Sequence, residues 1–196
     1  GNKVSRERAG FLGCGTVGIS FLITLVALAE LVLGEENRGG GVSTLYNWVT
    51  AGSFALNMSI LVDPLSVFML LIITGVGFVI HVYSVGYMEN DLEFNRFFAY
   101  LNFFIFAMSL LVLAADFFFL IVGWALVGLA SYLLIGFWKE KTSAVLAARK
   151  AFVMNVIGDV GMVIAAFIIF EHLGTLSFLD VFAVANTTFR PNDDAI

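Results

Sequence analysis

The sequence predicts an all-α, polytopic membrane protein with about five transmembrane helices. Of its 196 residues, 60% are hydrophobic, and the mean hydropathy is +0.98. Charged side chains are scarce, with 10 Lys or Arg and 15 Asp or Glu. Apolar runs of about 20 residues, the length that crosses a bilayer, recur between short charged clusters. These three observations leave no room for a sizeable soluble catalytic domain.

The same composition argues against several other classes of protein. Cys14 is the only cysteine, so an internal disulfide is excluded, and together with two histidines it is too little for a structural zinc site. No basic run indicates binding to nucleic acid.

The first predicted span covers residues 11–33 and follows a polar, basic cytoplasmic segment, residues 1–10. At 23 residues it is too long for the core of a signal peptide. Gly13–Gly18 matches the dinucleotide-binding pattern G-x-G-x-x-G, but it lies inside an apolar segment without a preceding strand, so small residues for close helix packing are favoured. Because the chain begins at Gly1 rather than Met, we expect a piece of a longer protein.

The next segment, residues 34–60, is predicted to be an outer loop. It is rich in glycine and contains Glu35 and Glu36. Alternation around Tyr46, Trp48 and Phe54 is compatible with a short hairpin at the membrane interface.

Four more spans complete a membrane domain over residues 11–171. Asp63-Pro64 is typical of a helix start, and it opens the second span. Almost no loop separates the third span from the fourth, so these two should form an antiparallel hairpin. Residues 172–196 are predicted to be an outer loop or tail. The last four spans cover residues 63–87, 96–114, 117–138 and 145–170.

The distribution of Lys and Arg predicts the orientation. One side carries Lys3, Arg6, Arg8, Arg96, Lys139, Lys141, Arg149 and Lys150, and the other carries Arg38 and Arg190. Because cytoplasmic loops carry an excess of these residues, the first side is predicted to be cytoplasmic and the chain to end outside.

Ionisable residues at membrane depth are the candidate functional residues, because a charge in hydrocarbon is costly unless it is paired or hydrated. Asp159 is the strongest. It lies about fifteen residues into the fifth span, one turn after Asn155 and beside two glycines. A carboxyl group in such a place is suited to carrying a proton, although an acid held only for packing is the alternative.

Two further residues have open interpretations. Asp116 lies in the turn between the third and fourth spans, where capping of the fourth helix is favoured over a role in proton transfer. His81 lies near the cytoplasmic end of the second span, where it could belong to an interfacial belt or to a proton relay.

The stretch from about residue 60 to residue 180 contains, in order, DPLSVFMLLIITGVGFVIHVYSVGYM, RFFAYLNFFIFAMSLLVLA, GWALVGLASYLLIGFW, KAFVMNVIGDVG and HLGTLSF. In this order and spacing it resembles subunit 5, subunit L in bacteria, of the proton-pumping NADH-quinone oxidoreductase, respiratory complex I. The related multi-subunit cation/proton antiporters share this layout of spans but less of the amino-acid sequence.

The resemblance implies an antiporter-like module of the membrane arm that takes part in proton translocation coupled to NADH oxidation and quinone reduction. It implies no cofactor on this chain, with NADH, FMN, iron-sulfur clusters and quinone bound by other subunits. The expected partners are those membrane-arm subunits, the lipid bilayer and protons. The expected location is the cell inner (cytoplasmic) membrane rather than the mitochondrial one. Lys150 matches the family's lysine and joins Asp159, His81 and Asp116 as a candidate for proton translocation.

Two departures from the family pattern affect this expectation. The family has glutamate where this chain has Ala125, and usually a basic residue where it has Val156; these two are understood as partners in an intramembrane ion pair. Losing one partner would strand a buried charge at a cost of about 3 to 5 kcal/mol, so the joint absence looks like one event. The family resemblance thus leaves two alternatives: the large subunit of a cation/proton antiporter, and a structural membrane-arm protein with a decayed proton path. A smaller departure is Ala115-Asp116, where many relatives have Asp-Asn.

Overall fold

The computed structural model describes residues 5–33, 41–51 and 54–188. Within these ranges, five helices are long and apolar enough to cross a membrane, which confirms the predicted fold class. The elements in chain order are α1 (Arg6–Leu33), β1 (Gly41–Ala51), β2 (Phe54–Val62), α2 (Pro64–Tyr87), α3 (Phe94–Val112), α4 (Phe117–Ile135), α5 (Thr142–Leu173) and α6 (Phe178–Thr188).

Local sequence explains the start of α2. The Asp63 carboxylate accepts a hydrogen bond from the Ser66 backbone N–H at 2.7 Å, and the Ser66 hydroxyl accepts one from the Asp63 N–H at 2.9 Å. Pro64, which has no N–H to satisfy, occupies the first turn. The predicted helix start at Asp63-Pro64 is therefore confirmed.

Glycines bring α1, α2 and α3 together. A methyl group added at Gly13 would lie 2.7 Å from Cδ1 of Phe98, and one at Gly77 would lie 2.7 Å from Cδ1 of Ile105. Beside the first contact, the Thr16 hydroxyl donates a hydrogen bond to Oδ1 of Asn102 at 2.8 Å. The Gly13–Gly18 motif is thus a helix-packing surface in the middle of α1, as predicted, and not a phosphate-binding turn.

The structure departs from the expected layout at the start of the first span and in the two segments expected to be loops. Helix α1 begins at Arg6, inside the expected polar segment, because charged residues can continue a helix beyond the hydrocarbon. The segment expected to be an outer loop contains a long antiparallel hairpin, β1 paired with β2 and running to Val62, with two register shifts along it. Helix α6 lies within the segment expected to be a loop or tail.

The turn between α3 and α4 is held between the hairpin and the connection from α5 to α6. The Leu61 N–H donates to the Leu113 carbonyl at 2.9 Å, and the Phe117 N–H donates to the Leu176 carbonyl at 3.0 Å. These elements form one end of the bundle. The other end joins the start of α1 to the α2–α3 loop, where an Arg6 Nη1 donates to the Glu89 carbonyl at 3.1 Å. Helix α5 contacts the bundle mainly through α4.

Candidate functional site

The contact between α4 and α5 contains the strongest candidate residue. Three contacts set its antiparallel register: Gly136 with Ala148, Tyr132 with Phe152, and Gly128 with Asn155. On α5 these contacts follow the alternating steps of three and four residues that mark one helix face. The same steps continue through Asp159 to the buried Ala166. We define this line of contact as the α4–α5 seam.

Asp159 lies in this seam. From Val156 to Gly161, five of the six residues are exposed, and Asp159 alone is partly buried. Nδ2 of Asn155 donates a hydrogen bond to Oδ1 of Asp159 at 3.4 Å. The carboxyl group is therefore on the protein-facing side of α5 and has a polar neighbour.

Gly128 makes room for that neighbour. A side chain at this position would collide with the Asn155 amide, which occupies the space that the missing Cβ leaves. The buried glycine on α4 thus determines how deeply the amide can enter the seam. Sequence reasoning missed Gly128, because nothing in the sequence of α4 tells which of its glycines faces α5.

The two positions that depart from the family pattern flank Asp159. The register of the seam puts Ala125 of α4 level with Asp159 of α5. Val156 precedes Asp159 by three residues and borders it on the helix surface, where it is 39% exposed. The structure therefore places Ala125 and Val156, both exposed in this chain, at the level of Asp159.

Lys150 is not brought to this place. Nine residues separate Lys150 from Asp159, which at about 100° per residue puts the two side chains on opposite sides of α5. The same count separates them by about 13 Å along the helix axis. Lys150 and its neighbour Arg149 are exposed near the start of α5.

His81 lies in a different part of the molecule, on α2, and its ring packs against α3. Its side chain is 0% exposed, so it does not belong to an interfacial belt. Nδ1 lies 2.7 Å from the Gly77 carbonyl and must donate to it, since a carbonyl only accepts. Nε2 has no hydrogen-bond partner among the described residues, and the ring meets the Phe98 ring edge-on at 6.1 Å between centroids.

Asp116 caps α4 at the hairpin end of the bundle. Its Oδ1 accepts a hydrogen bond from the Phe119 N–H at 2.7 Å, and the residue is only 8% exposed. Burial raises the pKa of this carboxyl group, and the hydrogen bonds from the backbone of Phe119 and Phe118 oppose that rise. Its contacts are those of the capping residue that the sequence favours.

The fold defines the class of protein as a helical membrane protein, with five helices in the described residues that are able to cross a bilayer. A chain of the solved structure titled "Structure of Mrp complex from Dietzia sp. DQ12-45-1b" superimposes with a TM-score of 0.68. The superposition covers 89% of this chain and 20% of that chain, at 22% sequence identity. At that identity the likeness concerns the fold.

Sequence comparison narrows the class. The family model for "NADH-Ubiquinone oxidoreductase (complex I), chain 5 N-terminus" matches residues 48–98, and the one for "NADH:quinone oxidoreductase/Mrp antiporter, TM" matches residues 114–193. The NADH-quinone oxidoreductase subunit L of Mycobacterium tuberculosis is 46% identical over 173 residues, covering 88% of this chain and 27% of that protein. The Escherichia coli subunit L is 37% identical over 193 residues, covering 98% of this chain and 31% of that protein.

The chain belongs to the family of subunit 5, or subunit L, of NADH-quinone oxidoreductase, which confirms the resemblance read from the sequence. It spans 27% of the length of the mycobacterial relative and 31% of that of the Escherichia coli relative.

Proposed function

We propose that the chain works as a membrane-arm subunit of an NADH-quinone oxidoreductase and takes part in the proton translocation that accompanies NADH oxidation and quinone reduction. The observation that carries this proposal is Asp159, an ionisable group turned into the α4–α5 seam beside the Asn155 amide. A carboxyl group at such a depth requires compensation, and one that can gain and lose a proton offers a step in a proton path.

The chemistry asked of Asp159 is simple. Its carboxylate accepts a proton from water on one side, and its neutral form returns a proton to water on the other. The Asn155 amide N–H donates a hydrogen bond to this carboxyl group from within the seam. No redox chemistry is assigned to this chain, since NADH, FMN, iron-sulfur clusters and quinone belong to partner subunits in this proposal.

The other candidate residues have secondary parts in this proposal. Lys150 lies about 13 Å from Asp159 along the helix axis and on the opposite side of α5, so the two do not pair, and its part in this proposal is to supply positive charge near the start of α5. His81, on α2 where α1, α2 and α3 pack together, offers a proton acceptor, and Asp116 fixes the start of α4.

We also infer the orientation and location. The Lys and Arg residues within the described ranges all lie at the end of the bundle where α1 begins, and Lys3, Arg38 and Arg190 lie outside those ranges. By the positive-inside rule this end faces the cytoplasm of a bacterial inner membrane.

The proposal is tested by Asp159→Asn, introduced into the encoding gene and studied in native membrane vesicles. Asparagine keeps the shape but cannot carry a proton, so NADH-driven proton uptake should fall while the complex still assembles. Proton uptake per NADH equal to wild type, in a fully assembled complex, would overturn the proposal. That result would favour the structural membrane-arm alternative, which Ala125 and Val156 already permit.

A cation/proton antiporter is the second candidate, because the superimposed chain comes from an Mrp complex and the second family model includes Mrp antiporters. The two candidates differ in their energy source. Proton uptake driven by NADH supports the oxidoreductase, whereas proton exchange driven by an imposed sodium gradient, without NADH, supports the antiporter.

A further inference from the structure

We propose that Asn155 is a positioning residue for Asp159 and that Gly128 is the notch that holds it. This inference rests on the proposed function, because it assigns Asn155 a role through the proton-carrying carboxyl group. Asn155 itself carries no proton in this scheme.

The hydrogen-bond donor to Asp159 singles out Asn155. Within the described residues, the Asn155 amide is the only side chain that donates a hydrogen bond to the Asp159 carboxyl group, at 3.4 Å. Among the described residues, no salt bridge to Asp159 is seen, and the ion pair between Arg96 and Glu93 lies elsewhere in the bundle. The amide is therefore the group that can compensate the charged form of Asp159 from within the seam.

The Asn155 amide lies between the Asp159 carboxyl group and Gly128 of α4. Asn155 precedes Asp159 by one helical turn, and both lie on the α4 side of α5. The amide could turn away from the carboxyl group if its surroundings allowed it. The backbone of α4 at Gly128 lies directly against the Asn155 amide. The two are so close that a Cβ at position 128 would not fit between them. The notch thus keeps the amide in the seam and near Oδ1.

The hydrogen bond from Asn155 to Asp159 is long. At 3.4 Å it is longer than the usual 2.7 to 3.2 Å for an N–H···O contact, so the bond is weak in this geometry. A weak hydrogen bond leaves its donor easy to displace, so the contact between Asn155 and Asp159 depends on the notch at Gly128.

The experiment compares variants of the protein in native membrane vesicles, measuring protons taken up per NADH oxidised and the amount of assembled complex. Asn155→Leu removes the donor at similar volume. Gly128→Ala keeps the amide but displaces it. The matched control is Gly158→Ala, because a methyl group at Gly158 meets nothing within 4 Å in this chain.

We expect Asn155→Leu and Gly128→Ala each to lower the ratio of protons to NADH by about twofold to tenfold, the range set by one hydrogen bond. Gly158→Ala should leave the ratio unchanged. If Asn155 acts through Asp159, Asn155→Leu should have no further effect in an Asp159→Asn background. This lack of additivity is the result that a merely structural role does not produce.

Two results separate failure of this inference from failure of the proposed function. If Asp159→Asn lowers the ratio but Asn155→Leu leaves it at the wild-type value, the positioning role is wrong and the proposed function stands. If Asp159→Asn has no effect in assembled complex, the proposed function fails, and the inference fails with it. Equal losses from Asn155→Leu with and without the Asp159 carboxyl group also contradict the positioning role.

Discussion

Nε1 of Trp138 donates a hydrogen bond to Oδ2 of Asp91 at 3.2 Å and joins the two loops at the proposed cytoplasmic end of the bundle. Asp91 belongs to the α2–α3 loop, and Trp138 to the α4–α5 turn. Nearby, an Arg96 Nη2 donates to the Phe137 carbonyl at 3.0 Å. This end therefore holds the hairpin of α2 and α3 against the hairpin of α4 and α5, whose seam contains Asp159.

The contact should depend on pH. Hydrogen bonds from the Glu93 backbone and from Trp138 lower the pKa of Asp91 below its ordinary value of 3.8. A carboxyl group with a lowered pKa in the folded state stabilises the fold above its unfolded pKa and loses that contribution as the pH falls through its folded pKa. We expect Asp91→Asn to lower the thermal unfolding midpoint of the purified complex near neutral pH.

The difference between Asp91→Asn and wild type should shrink as the pH is lowered from about 5 toward 3. Wild-type protein at the low end should then resemble the variant. A difference that stays constant over this pH range would show that the Asp91 charge contributes nothing to the contact. The partial exposure of Asp91 keeps the expected effect small.

Asp116 makes a different prediction because its pKa is raised, chiefly by burial. Ionisation is harder in the folded state, so the charge lowers stability as the pH rises from 3.8 through the folded pKa. Asn is as good an N-cap as Asp and carries no charge. Asp116→Asn should therefore keep or raise the unfolding midpoint at neutral pH.

Asp116→Ala provides the comparison, since it removes the acceptor for the Phe119 N–H. It should destabilise the protein by about 1 kcal/mol. Proton uptake by assembled Asp116→Asn complex should equal that of wild type if the residue only caps α4. A loss of uptake with normal stability would instead assign Asp116 a part in proton transfer.

The features of the fold that can be predicted from the sequence are those determined by residues close together in the chain. The five long helices follow from runs of apolar residues, and the start of α2 follows from Asp63-Pro64, because both signals are local. Capping by Asp116 is local in the same sense. The sequence predicts only a short hairpin, since the strands lack a regular alternation and carry two register shifts.

The contacts within the site could not be predicted in the same way. That Asn155 enters the notch at Gly128 depends on the rotation and register of α5 against α4, and neither helix has a strongly one-sided pattern that would fix them. The sequence does not decide between the two interpretations of His81 for the same reason. The His81 ring is buried by contact with α3, which approaches α2 closely at Gly77. Residue types suggested which side chains matter, and the packing determined which ones meet.

We expect that the ion pair usual in the family can be restored at positions 125 and 156. The seam puts Ala125 level with Asp159, and Val156 borders Asp159 on α5. Replacing a glutamate and a basic residue by Ala125 and Val156 leaves the formal charge of the site at −1, that of Asp159 alone. The single restorations are therefore not equivalent, because each changes the local charge in an opposite direction.

Ala125→Glu puts a second carboxylate at the level of Asp159 and should lower the yield of assembled complex, because like charges repel and an unpaired charge at membrane depth is costly. Val156→Arg should assemble normally, because its guanidinium can pair with Asp159 at the three-residue spacing. The same pairing should hold Asp159 in its charged form and lower the protons taken up per NADH oxidised. The double variant should restore assembly and match or exceed the wild-type ratio, because the added pair neutralises itself. If Ala125→Glu alone assembles as well as the double variant, the two positions are not coupled through Asp159, and the registration of the seam would have to be revised.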